Sequence, residues 1–285
     1  MSDFDPALVA ARFIHFAASL TLFGTLLWSL YAPPASWRPM SRGVLVGLAA
    51  IALASGAVCA ALVFRRIAGE PSFDPALLRR MLVETGFGRA FLAQAVLEIT
   101  LIAVLLSAPT GRWVQAGVGA ALVGALAFIG HATGGHGVAG AARIGGQIAH
   151  LLAAGAWLGG LPALLLSLRG ADAESAARAA ERFSVVGVVA VTIILATGAV
   201  NTALMLGPSP AFQRTLYFEV LVVKLALVAG MIVVAVANRS FVTPAIRQHP
   251  ASELGALKRN IAIEQGLALG VLAAVSWLGT LDPFM

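Results

Sequence analysis

Eight apolar runs, each about as long as a helix that crosses a bilayer, limit what this chain can become. They are Val9–Tyr31, Gly43–Phe64, Gly88–Ala108, Trp113–His131, Ile144–Leu168, Ser184–Leu206, Leu216–Asn238 and Ile261–Leu281. At a rise of about 1.5 Å per residue, roughly 20 residues traverse a hydrocarbon core about 30 Å thick. Membrane strands would be about half as long and would alternate polar with apolar residues. These runs do not alternate. Because lipid offers backbone groups no partner, a segment that satisfies its own hydrogen bonds is favoured there. The predicted fold is therefore all-α, a polytopic membrane bundle of about eight transmembrane helices. It forms one integral membrane domain over residues 1–285, with no internal repeat. Composition agrees: mean hydropathy is +0.91 and 11% of residues are charged, against about 25% in soluble domains.

The links between runs carry helix punctuation. Pro33, Pro34 and Pro39 follow the first run, where a helix has to stop. In the long link 65–87, Asp74-Pro75 has the form of an N-cap followed by a first-turn proline, which predicts a short interfacial helix. The alanine-rich, charge-alternating link 169–183 predicts a solvated helical extension. The acidic start MSDFDPAL has no basic segment or small-residue cleavage site, so the first helix is expected to be retained. Glycine pairs four apart, Gly43/Gly47, Gly155/Gly159 and Gly266/Gly270, predict close helix contacts.

The isoelectric point near 10.7 comes from 19 basic against 13 acidic residues. Most arginines flank apolar runs, where they bear on orientation in the bilayer rather than on nucleic acid. Arg65, Arg66, Arg79, Arg80 and Arg89 of the second link blunt the asymmetry. With that link set aside, the excess lies on the face opposite the N-terminus, which predicts both termini outside the cytoplasm. No phosphate-cradling glycine loop supports nucleotide hydrolysis, and no catalytic constellation marks an enzyme. Cys59, the single cysteine, excludes a disulfide within the chain and fits a small packed hydrophobe.

Histidine placement carries the chemistry. Eight crossings put His15, His131, His136 and His150 at one membrane face, with His131 and His136 in a glycine-rich GHATGGH turn. His249 falls in a polar loop on the other face. Ionisable groups within a membrane are costly and are read as functional by default. Three or four imidazoles from separate helices form a candidate metal site, and imidazole suits copper, zinc, iron and nickel alike. Trp157 lies seven residues after His150, on roughly the same helix face. It either walls the site or packs in the core. Asn201 and Met205 are possible further ligands, a thioether being suited to Cu(I). Glu98 and Lys224 lie at matching depth, which predicts a mutual ion pair, either structural or lining an ion path. Glu219 and Glu264 are expected nearer helix ends, within reach of water or arginine. A second use of the histidines is haem held between two helices, as in a membrane cytochrome b, which requires a facing pair.

The segments GHATGG and AHLLAAGAWLGGLPAL resemble the signature region of the bacterial copper resistance protein D (CopD) family. The opening RFIHFAASLTLFG, TGFG, LYFEVLVVKLALV with ANRSFVTPAI, and IEQGLAL with SWLGTLDP are similar to its other blocks. The resemblance extends over nearly the whole chain. It implies an eight-span inner-membrane protein that handles copper, Cu(I) or Cu(II), and imports it from the periplasm beside a small periplasmic copper-binding (CopC-like) partner. By position, His15, His131 and His150 match the family's recurrent histidines, and Lys224 and Asn238-Arg239 match its seventh-span block. Tyr217-Phe218-Glu219 departs from the family's Tyr-Gly at that place.

Overall fold

Eleven helical segments are present in the computed structural model, which describes residues 5–34, 39–69, 74–107, 111–129, 137–206 and 215–281. In chain order they are α1 (Pro6–Tyr31), α2 (Arg42–Ala68), α3 (Pro75–Glu84), α4 (Gly86–Leu106), α5 (Arg112–Ala125), α6 (Gly137–Trp157), α7 (Leu161–Ser167), α8 (Ala173–Leu206), α9 (Leu216–Ala237), α10 (Thr243–Ala245) and α11 (Pro250–Leu278). A 3₁₀ turn over Leu126–Phe128 ends α5, and a π turn over Asn238–Val242 joins α9 to α10. Among the described residues, seven stretches are long and apolar enough to cross a membrane, and 112–128 is a shorter apolar eighth. The polytopic helical bundle expected from the apolar runs is what forms.

Local chemistry sets the helix starts. Asp5 Oδ1 accepts from Leu8 N at 3.0 Å with Pro6 in the first turn, and Ser41 and Thr85 cap α2 and α4 in the same way. The predicted interfacial helix is α3, with Asp74 Oδ1 accepting from Ala76 N at 2.9 Å. The helical extension before the sixth run is the start of α8. There Asp172 accepts from Ser175 N at 2.7 Å and Ser175 Oγ at 3.0 Å. These bonds hold the Asp172 carboxyl below its usual range. Its cap is complete at neutral pH and is lost only as the pH falls through that lowered value.

Several arginines close helix ends on the face opposite the termini. Arg112 donates to Ser29 O at 2.9 Å and Arg182 to Tyr31 O at 3.0 Å, satisfying carbonyls at the C-terminal end of α1. Arg42 donates to Leu106 O at 3.3 Å at the end of α4. Cations at C-terminal ends also complement the helix dipole. Arg247 bridges Glu174 and Glu181 of α8, at 2.7 Å to each, with all three side chains about half exposed. Solvent screening keeps such exposed pairs weak. Arg247→Ala should therefore shift the thermal midpoint by no more than a few degrees in a detergent melt.

α1 is the hub. It packs against α2, α5, α6, α7 and α11, and most of it is buried, whereas α8 and α9 turn most of their surface outward. Trp28 is wholly buried and donates from Nε1 to Ser167 Oγ of α7 at 2.9 Å. Its ring meets Tyr31 and Phe183 edge-on. Near the other end of α1, the Arg12 guanidinium lies over the Phe16 ring and against Gly279 at the end of α11.

The glycine pairs divide. A Cβ on Gly159 would overlap the Leu20 carbonyl, one on Gly24 would overlap Gly155 and Gly159 backbone, and one on Gly155 would sit 2.6 Å from Phe23 Cδ1. Here α1 and α6 meet backbone to backbone. A Cβ on Gly270 would stand 3.1 Å from Leu227 Cδ1, but one on Gly43, Gly47 or Gly266 would meet nothing within 4 Å, so no close contact forms at those three. The fifth run is also not one helix. It breaks at Leu158–Gly160 and restarts with Leu161-Pro162, where glycine and first-turn proline favour a stop and a new start.

Candidate metal centre

Two of the predicted histidines lie among the described residues of the bundle, and each is held at one ring nitrogen. His15 on α1 is buried, and its Nδ1 is 2.9 Å from the Ala52 carbonyl of α2. A carbonyl can only accept, so Nδ1 carries the hydrogen and the neutral ring's lone pair is on Nε2. That Nε2 is buried and has no partner among the described residues. Gly56 makes the space: a Cβ there would stand 3.1 Å from His15 Cε1.

His150 on α6 is held in the same manner. Its Nδ1 lies 2.8 Å from Thr197 Oγ1 on α8, and that hydroxyl donates to Ile193 O at 2.6 Å. With its one proton committed, the hydroxyl accepts from the ring, which again leaves the lone pair on Nε2. One turn along the same seam, Asn201 Nδ2 donates to Gln147 Oε1 at 3.3 Å. Lys224 of α9 is close enough for its charge to act on the His150 ring.

The ion pair expected between Glu98 and Lys224 does not form. Glu98 Oε1 is instead 3.7 Å from His15 Nδ1. Depth matches in both pairings, but α4 packs on α2 and α5 while α9 packs on α11. Gln94, one turn before Glu98, lies beside the carboxylate, yet neither of its amide atoms meets a hydrogen-bond partner among the described residues.

Of the two readings of Trp157 the core one holds, whereas Glu264 differs from expectation. Trp157 is packed into the core rather than walling a site, and its indole N–H donates to Glu264. Glu264 is not near water: it is buried and accepts from Asn238 Nδ2 at 3.1 Å, while Asn238 Oδ1 accepts from Asn260 at 2.8 Å. Four polar side chains are thereby satisfied deep in the half of the bundle away from the termini. Cys59 is buried among apolar neighbours and His249 is exposed, as expected.

His15 faces α2 and α4, whereas His150 faces α8. The two rings are thus anchored through Nδ1 on different helices. Among the described residues, no three His, Cys, Asp or Glu side chains converge closely enough to hold a metal. His131, His136 and the Met205 side chain lie outside the described residues. Thr197, Gln147, Gln94 and the Ala52 carbonyl were not singled out from sequence. The only signal for them is a polar side chain inside an apolar run.

Comparison with known proteins places this architecture. The profile described as copper resistance protein D matches residues 177–278, and that of the copper resistance protein D-like N-terminal domain matches residues 1–142. The inner membrane protein YebZ of Escherichia coli (strain K12) is 30% identical over 97% of this chain and 98% of its own length. The chain belongs to the copper resistance protein D family. Copper resistance protein D of Pseudomonas syringae pv. tomato is 29% identical, covering 99% of this chain and 98% of that protein. The copper transport protein CutJ of Bacillus subtilis (strain 168) is 29% identical over 81% of this chain and 46% of its own length. No solved structure matches this family member.

Proposed function

We propose that this chain is a copper-handling protein of the bacterial inner membrane that takes copper at the periplasmic face and passes it toward the cytoplasm. One observation carries the proposal: two imidazoles within the bundle, the buried His15 and the half-buried His150, each have Nδ1 fixed by an acceptor on a neighbouring helix. A metal-binding imidazole needs this arrangement, in which the far nitrogen's hydrogen bond sets the tautomer and aims the ligating lone pair. The names of two relatives, a copper resistance protein and a copper transport protein, support copper as the cargo. Another relative's name supports the inner membrane.

In this proposal His150 receives copper together with His131 and His136 from the preceding link. Asn201 and Met205 are accessory donors at the end of α8. His15, beside Glu98, is a separate station, since its Nδ1 is anchored on α2 and its acidic neighbour stands on α4. Lys224 sets the charge next to His150. Both termini are periplasmic, and a periplasmic copper-binding partner delivers the ion. Movement follows a gradient, exchange or trapping of copper inside.

Copper content of the purified protein tests this. His150→Ala is expected to lose bound copper, and His15→Ala to lose the share held at the second station. Unchanged stoichiometry in His150→Ala would refute the assignment, and a Soret band in the visible spectrum would replace copper with haem.

A further inference from the structure

A groove of about 500 Å³ runs between α2, α3 and α4 and ends at Gln94 and Glu98. It borders the second station of the copper proposal, because Gly56 and Glu98 also stand against His15, but its length along α2, α3 and α4 has no use there. Its floor on α2 is made of small residues, Gly56, Ala57, Ala60 and Ala61, which leave the space that larger side chains would fill. Ala57, Ala61 and Leu92 on its walls are exposed, so it opens sideways along the surface of membrane-spanning helices. Its inner end is polar. Gln94 and Glu98 are each 1% exposed and lie side by side, and neither the two Gln94 amide atoms nor Glu98 Oε1, 3.7 Å from His15 Nδ1, completes a hydrogen bond within 3.5 Å among the described residues. Buried polar groups left in that condition are rare, and each costs free energy until a partner arrives.

We propose that this groove binds a lipid-soluble quinone or quinol, with the ring at Gln94 and Glu98 and the isoprenoid tail along α2 and α3. The three orphaned atoms comprise an amide donor, an amide acceptor and a carboxyl oxygen. A ring hydroxyl or carbonyl pairs with these, because a hydroxyl both gives and accepts. A phosphate or fatty-acid carboxylate would set like charge against Glu98, and a bare alkyl chain would satisfy none of the three. The volume suits a ring with a short stretch of tail, since ligand cavities run about 300–1,000 Å³.

Photolabelling of the full-length protein in phosphatidylcholine nanodiscs with an azido-ubiquinone, competed by decylubiquinone, tests the assignment. The label is expected on α2 or α4, with saturable competition. Gln94→Leu, which removes the polar partner, and Ala61→Phe, which fills the floor from an exposed position, should each weaken competition at least tenfold. Val233→Phe, on the outer surface of α9, should leave it unchanged. Each variant is checked for monodispersity and helical content, and Ala61→Phe decides the matter if Gln94→Leu does not fold. Labelling that is non-saturable, or unaltered in Ala61→Phe, would overturn the proposal. So would competition by phosphatidylglycerol in place of decylubiquinone, which would assign the groove to a lipid chain.

Discussion

Gly159→Val should abolish accumulation of folded protein, and Gly24→Val should do the same. At both positions the atoms in the way are backbone: the Leu20 carbonyl in one case, the Gly155 and Gly159 main chain in the other. A flexible side chain could swing aside, but two main chains in contact can only separate. Overpacking a tight core costs about 1–3 kcal/mol and more when the neighbour cannot yield. That is a large part of a typical domain's roughly 5–15 kcal/mol. Separating α1 from α6 would also pull Trp28 away from Ser167. Gly43→Ala and Gly47→Ala serve as the contrast, because a Cβ at either position would meet nothing within 4 Å outside its own helix. In a helix the change to alanine gains about 0.5–1 kcal/mol, so those variants should melt at or above the parent. Size-exclusion profiles and thermal melts in mild detergent separate the two groups. A monodisperse Gly159→Val protein with an unchanged midpoint would show that the seam is not as close as described.

The second large effect belongs to a residue that touches no metal. Thr197→Val removes the oxygen that accepts from His150 Nδ1 while keeping the side chain's shape. The imidazole then loses both the bond that selects its tautomer and the one that fixes its angle. Changes to such supporting partners typically lower metal affinity about 10–100-fold. Titration of Cu(I) against a competing chelator should show a loss of that order in Thr197→Val and near-complete recovery in Thr197→Ser. Recovery by serine distinguishes positioning from packing, since serine restores the hydroxyl but not the methyl group. Wild-type affinity in the valine variant would remove Thr197 from the proposed mechanism.

These residues show what could and could not be deduced from the chain alone. Depth along the bundle was legible, because run length and parity place each residue along the membrane normal. Azimuth was not, because helices apolar on nearly every side give no sign of which face meets which neighbour. Glu98 and Lys224 have matching depths, yet α4 and α9 stand apart and His15 takes the carboxylate. The same gap hid Thr197, one threonine in an apolar run, until α6 and α8 were seen side by side. Glycine spacing likewise predicted three contacts where the Gly155/Gly159 pair carries the tight one. The break in the fifth run was signalled by Gly159-Gly160-Leu161-Pro162, but an apolar run reads through such a sequence without interruption. Glu264 was expected near water because charge was weighed without the asparagine and indole that satisfy it.

The central position of α1 bears on biogenesis. This helix leaves the ribosome before any of the helices it packs against, and α11 is the last of those to follow. Until α11 inserts, the flank that carries Arg12 faces either lipid or a provisional occupant of the translocation machinery. An insertase that shelters this one flank would then matter more to the yield of folded protein than the hydrophobicity of any later segment.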